Sequence, residues 1–214
     1  MTGAKMLRSV TGAWVTKVVF SLGVIMTLGA SPAHATQSAV KFLMNTNDTL
    51  FAEVDRQRDE IATDPEVARE VVRRVLTPHM DLERTSRWVL GKFWRKATDD
   101  QKDRFIQEFR TLLVRTYASA VTEFSGVDLI YYPVDAADDA DDVVVRTEVP
   151  TDKQAIAIVY RMHLNPDGWK VYDVTVDGVS LVTTYRSTFS RLVRNDGMDG
   201  LIERLAEKNR ETTS

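Results

Sequence analysis

Cysteine is absent from the 214 residues, and histidine occurs three times, at His34, His79 and His163. Without a thiol there is no disulfide framework, no thiolate nucleophile and no cysteine metal cluster, and the lipid attachment of bacterial lipoproteins is excluded. Glycine (10) and proline (6) are sparse, no Pro/Gly/Ser linker divides the chain, and no internal repeat or phosphate-cradling glycine loop is present. Long apolar runs are missing too. The main one, residues 18–30, has 13 residues, against the ~20 that a bilayer-spanning helix needs. There is no basic excess either: 28 Lys and Arg face 31 Asp and Glu. That balance argues against nucleic acid, whose binding relies on displacing counterions with positive charge.

The first 35 residues carry a strong pattern. Lys5, Arg8 and Lys17 precede the apolar run VVFSLGVIMTLGA, and Ala33-His34-Ala35 follows it. A positive start, a short apolar stretch and a small-x-small site predict a secretory signal peptide, with the mature chain beginning at Thr36. The remaining 25 Lys and Arg against 31 Asp and Glu leave the mature chain near −6. An exported, unanchored protein without disulfides fits a bacterial periplasm. The expected organisation is residues 1–35 as signal peptide and 36–214 as one domain, in which about 36–95 could form a helical N-terminal subdomain.

Periodicity predicts helices first. Val40, Leu43, Met44, Leu50, Phe51 and Val54 recur at helical spacing over 38–59. Asp64-Pro65-Glu66 is a helix start, and that helix ends before Pro78. A short helical piece covers 81–90 and stops at Gly91. Thr98-Asp99-Asp100-Gln101 is a capping box opening the longest helix, with a stripe of Phe105, Phe109, Leu112, Leu113, Thr116, Tyr117, Ala120 and Phe124. Four strands are then expected, at 127–133, 143–149, 154–164 and 169–176, the last two joined by the turn Asn165-Pro166-Asp167-Gly168. Helices over 181–194 and 198–208 finish the chain. This order predicts an α+β fold, a twisted antiparallel sheet with helices packed on its concave face.

Reactive constellations are scarce. His79 follows a helix-ending proline and His163 lies on the less apolar face of its strand, so both read as packing or surface residues. Gly178-Val179-Ser180 begins like a nucleophile elbow, but Val182 replaces the second glycine and no histidine is near. Asp135, Asp138, Asp139, Asp141 and Asp142 lack the glycine and terminal glutamate of a calcium loop, and read as a solvated hairpin tip rather than a metal site. Nothing assembles an acid, a base and a nucleophile. What remains is apolar: Trp88, Val89, Leu90, Phe93 and Trp94 just ahead of the aromatic stripe. Composition leaves open whether these form a solid core or line a ligand cavity.

Two ordered blocks add to this. The first is DLERTSRWVLGKFW (81–94), leading into Gln101, Arg104, Phe105, Phe109, Arg110, Leu112, Leu113 and Tyr117. The second is VYDVTVDGVSLV (171–182), followed by Tyr185, Arg186, Ser187, Thr188 and Phe189. Together they resemble the MlaC family of periplasmic phospholipid-binding proteins, also called toluene-tolerance auxiliary proteins, over nearly all of the mature chain. The resemblance implies an NTF2-like sheet and helices enclosing a deep apolar pocket. It further implies a shuttle that carries phospholipid as cargo, without a cofactor or metal, and maintains outer-membrane lipid asymmetry. The implied partners are an inner-membrane ABC transporter with its MCE-domain protein and an outer-membrane lipoprotein complex, with the chain itself a monomer.

A carrier role is consistent with the energetics. Exposing about 30 acyl methylenes to water costs on the order of 24 kcal/mol, which an apolar enclosure must recover. The expected lining from the helical side is Trp88, Leu90, Phe93, Phe105, Phe109, Leu113 and Tyr117. From the sheet and the second block it is Ile158, Tyr160, Val174, Val176, Val179, Leu181, Tyr185 and Phe189. Arg186 either meets a phosphate at the mouth or pairs with a nearby acid. Rival readings are a carrier of another lipophile such as a fatty acid, sterol or solvent, a lipid-acting enzyme, and a structural adaptor with a solid core. Leu113→Asp or Val176→Asp is expected to abolish lipid retention in a folded protein, measured by organic extraction of the purified variant.

Overall fold

The computed structural model describes residues 35–137, 139–152 and 154–211. The expected signal peptide lies outside these apart from Ala35, and Asp138 of the acidic run is also outside them. The order is α1 (Ala35–Arg56), α2 (Arg58–Thr63), α3 (Pro65–Val75), α4 (Leu82–Leu90) and α5 (Asp99–Glu123). After these come β1 (Ile130–Tyr131), β2 (Asp142–Val149), β3 (Ile156–Asn165), β4 (Gly168–Val176), β5 (Val179–Ser180) and α6 (Leu181–Glu211). The five strands form one antiparallel sheet in sequence order.

Local chemistry explains the boundaries. The Asp64 side chain accepts from Glu66 N–H with Pro65 at the first position, and Thr98 and Gln101 close a reciprocal capping box on α5. Gly91 (φ 55, ψ −117) stops α4 in a conformation that disfavours any side chain. The expected helix over 38–59 divides at Gln57. The last two expected helices are both present within Leu181–Glu211, separated by the non-helical Gly197 (φ 75, ψ −177). The first expected strand shrinks to Ile130–Tyr131, because only this stretch finds partners, Glu148 and Thr147, on β2.

Three hydrophobic clusters hold the elements together. Leu50 and Val54 of α1, Val71 and Val72 of α3, and Val114 and Ala118 of α5 form one. Ala39 and Leu43 of α1 form a second with Val143, Val145, Met162, Trp169 and Val171 of the sheet. The third joins α4, α5 and α6 around Phe105, Phe109 and Phe189. Helix α5 is therefore buried on two stripes, one toward α3 and one toward α6. For that reason Val114 and Ala118 are buried, whereas Thr116 and Ala120, which the single-stripe reading placed inside, are exposed.

The register of β3 on β4 shifts by one residue, pairing Arg161 with Asp173 and then Met162 with Val171, so that Tyr172 is extra. Its carbonyl accepts from Thr85 Oγ1 (2.9 Å), and the Val171 carbonyl accepts from Asp81 N–H (2.8 Å). The irregularity thus fastens the start of α4 to the sheet. At the other end of β4, the buried Asp173 carboxylate accepts from Val182 N–H (3.1 Å) and Ser180 Oγ–H (2.9 Å), while Thr183 N–H donates to Ser180 Oγ (3.1 Å). Asp177 (φ 46) and Gly178 (φ 81) make the two-residue turn between β4 and β5 with left-handed backbone. Asp173→Ala strips α6 of two charge-assisted contacts at its first turn, and is expected to cost about 2 kcal/mol in a urea melt.

Candidate functional site

Strand register brings the apolar sheet residues onto one face. Val143, Val145, Thr147 and Val149 of β2 lie opposite Met162, Tyr160, Ile158 and Ile156 of β3, and Val174 and Val176 of β4 lie opposite Tyr160 and Ile158. Helix α1 covers one end of this face, with Trp169 Nε1–H donating to Ser38 Oγ (2.9 Å). Tyr160 and Val174 are half-buried at the border of that cluster. Beyond them Val149, Ile156, Ile158 and Val176 continue the apolar strip, and among the described residues they belong to none of the three clusters. Val176 is 39 % exposed.

Polar groups at this border are internally satisfied. Asn47 Nδ2–H donates to the Tyr131 hydroxyl (2.9 Å), and the Tyr160 hydroxyl hydrogen-bonds with the side chains of Thr147 and Asn47. Burial of the phenol pushes the Tyr160 pKa up to about 12, with those hydrogen bonds opposing the shift.

The helical wall is built from aromatic contacts. Phe109 meets Tyr185 at 5.1 Å and Phe189 at 5.5 Å, edge to face, and stacks with Phe105 at 5.4 Å. Leu90, Phe105, Phe109, Leu113 and Phe189 are all buried inside this cluster, and Phe93 packs against it. Tyr117 and Tyr185 form its half-buried edge and hydrogen-bond with each other across α5 and α6. Desolvation, followed by that hydrogen bond, raises the Tyr185 pKa. The expected lining residues thus fall into two groups, Ile158, Tyr160, Val174 and Val176 on the sheet, and the aromatic cluster on the helices. Leu113 is 7 % exposed within the second group. A carboxylate there tests folding rather than lipid retention, so of the two substitutions only Val176→Asp isolates binding.

Trp88, Val179 and Leu181 sit elsewhere. Leu181 is half-buried at the first position of α6, and Val179 is 60 % exposed in β5. Trp88, 38 % exposed, lies against Tyr172 (5.5 Å) and under the guanidinium of Arg161 (5.9 Å). Arg161 alternates with Tyr160 and Met162, so it points to the face opposite α1. That opposite face carries two polar clefts. One, about 260 Å³, is lined by Asp81, Glu83, Arg84, Arg87, Trp88 and His163; the other, about 280 Å³, by Trp88, Arg161, Asp173, Thr175, Ser180 and Arg186. Both fall below the usual 300–1,000 Å³ of a small-molecule pocket, and charged groups dominate their walls.

Ile156, paired with Val149, carries the same alternation that marks Ile158, while the role of Asp173 is set by partners from the next two elements and leaves no local signal. Ser180 is occupied as a helix-capping group, with an acid and no histidine beside it. Asp141, Asp142 and His163 place potential ligand atoms within 4.8 Å of one another. The Asp142 carboxylate, however, already accepts from Arg84 Nη2 (2.9 and 3.1 Å), an internal cation that ties the hairpin tip to α4. His79 packs edge-on against Phe42 (5.1 Å), its pKa lowered by burial and then by Lys170.

A helix layer lies on an open antiparallel sheet and an apolar strip runs past the covering helix, an arrangement suited to binding an apolar ligand. Residues 44–207 match the family model of the MlaC protein, and the chain belongs to that family. It is 24 % identical over 198 residues to the intermembrane phospholipid transport system binding protein MlaC of Haemophilus influenzae, spanning 91 % of this chain and 92 % of that protein. Against the toluene tolerance protein ttg2D of Pseudomonas putida it is 26 % identical over 181 residues, 83 % of this chain and 84 % of the relative. A phospholipid-binding protein from Ralstonia solanacearum, solved in complex with a phospholipid, shares the fold with a TM-score of 0.76 and 31 % identity. That likeness covers 82 % of this chain and 99 % of the other.

The tyrosines offer a direct check on the border of the strip. A phenol whose folded pKa lies above its unfolded value stabilises the fold fully below pH 10, and that contribution is lost as pH rises through about 12. Absorbance titration at alkaline pH is expected to show Tyr160 protonated well past the ordinary phenol range, and Tyr160→Phe to remove one late-titrating phenol while that of Tyr185 remains.

Proposed function

We propose that this chain is an exported phospholipid carrier. Acyl chains lie along Ile156, Ile158, Val174 and Val176, with the Tyr117–Tyr185 edge of the aromatic cluster as the facing wall and the head group toward solvent. The likeness to a protein solved with a phospholipid bound, across 99 % of that protein's length, carries the reading. The apolar strip that no core cluster absorbs supports it, since side chains of this kind recover the cost of holding acyl chains out of a membrane. The buried members Leu90, Phe105, Phe109, Leu113 and Phe189 back the wall, and Phe93 packs behind them.

The chain works in the periplasm after cleavage behind Ala35, as a monomer. It exchanges lipid with an inner-membrane ABC transporter bearing an MCE-domain protein and with an outer-membrane lipoprotein complex. No bond of the lipid is made or broken: the lipid is cargo, and no cofactor takes part. Native mass spectrometry of the mature protein from a bacterial periplasm, followed by extraction, is expected to find about one phospholipid per chain. Val176→Asp is expected to lower that occupancy at least ~10-fold with an unchanged melt, because a carboxylate would face acyl chains. A fatty acid, sterol or empty protein in its place would overturn the phospholipid reading.

A further inference from the structure

The face away from α1 carries a charge asymmetry that lipid holding does not use. Residues 84–97 hold five basic side chains and no acid, and residues 178–194 hold three and no acid, in a chain whose net charge is −3; of the first five, Arg84 and Arg87 are paired with Asp142 and Glu83. The fold packs these segments side by side, α4 and the 3-10 segment Gly91–Lys96 against α6. The contact is close at one point, since a Cβ on Gly91 would stand 3.2 Å from Arg186 Nη2. Arg186 has no acid partner among the described residues, so of its two expected roles the ion pair does not form. Lys92, Arg95, Lys96 and Arg161 likewise make no ion pair among the described residues, and all five are exposed. Trp88 stands among them, between the two polar clefts.

We propose that this basic face, centred on Trp88, Arg161 and Arg186 and extended by Lys92, Arg95 and Lys96, is a docking surface for an acidic segment of a partner protein. A cluster of unpaired cations on an otherwise acidic molecule orients it toward negative charge and raises its encounter rate. Three of the five are arginines, whose forked donors match carboxylates, and arginine with tryptophan is the pairing that anchors protein interfaces. A membrane surface fits less well. Trp88 is the only large apolar side chain left exposed in residues 84–97, and it is held beneath Arg161 rather than projecting as a wedge. The first amides of α6 are already taken by Asp173 and Ser180, so the guanidinium groups, not a helix terminus, supply the recognition. The geometry stands without the carrier reading and rests on it only for the purpose of docking.

The test uses the mature protein with a deca-glutamate peptide as probe, followed by amide chemical-shift mapping. Shifts confined to residues 84–97, 161 and 183–191, weakening steeply with salt, are expected. The triple variant Lys92→Gln/Arg95→Gln/Lys96→Gln, and separately Arg161→Gln, should each bind the peptide at least ~10-fold more weakly. Lipid content of the same samples, read by native mass spectrometry, should be unchanged, which keeps this outcome separate from that of the carrier reading. Shifts mapping elsewhere, or affinity unchanged in both variants, would refute the proposal. So would binding to vesicles of about 30 % phosphatidylglycerol in phosphatidylcholine that the triple variant loses while the peptide binds neither protein, since the face would then be a membrane contact.

Discussion

Asp173 stands at the corner where the sheet hands over to the last helix, and much of the molecule depends on how it is satisfied. A buried carboxylate without donors would be costly. Here the donors are Val182 N–H and Ser180 Oγ–H, both supplied by the segment that follows β5. The Asp177–Gly178 turn reverses the chain so that these groups arrive on the correct side. Helix α6 leaves that corner in one direction, and Tyr185 and Phe189 then reach Phe109 and Phe105 of α5. The conspicuous block VYDVTVDGVSLV is therefore a folding device. Its polar residues make a turn and a cap, and its apolar residues alternate between the strip and the core.

The two faces of the sheet are used differently because β-strands alternate. On one face α1 seals half of an apolar surface and leaves Ile156, Ile158 and Val176 outside the clusters. On the other, the one-residue shift at Tyr172 binds α4 to the edge of β4, and Arg84 lies over the Tyr172 ring while Arg161 lies over Trp88. The apolar strip and the basic residues around Arg161 therefore lie on opposite faces of one sheet. The acid-rich hairpin tip fits this arrangement, since Asp142 ties to Arg84 and so helps fix the position of α4.

Most of the element order was legible from local rules. Capping residues, Pro65, Gly91, the turn at Asn165 and the alternation along β3 act over a few residues, so their outcome does not wait on the rest of the chain. Errors arose where a distant partner decided. Residues 127–129 look like strand but have no strand to pair with, and Val114 and Ala118 are buried because α3 lies against them. The lining set shows the same limit. Tyr160 and Phe105 are both apolar positions at the right spacing, yet one borders the open strip and the other is enclosed by rings on several sides.

The sequence alone determined an α+β order of elements, the absence of thiol chemistry and a family pattern spread over two blocks. Those properties follow from composition and from interactions between near neighbours. Tertiary structure decided which apolar residues are core and which form a continuing strip, that Arg186 has no acid to pair with, and that two acid-free segments share one face. Each of these depends on which side chains come together from far apart along the chain, and that is set by packing and register rather than by local pattern.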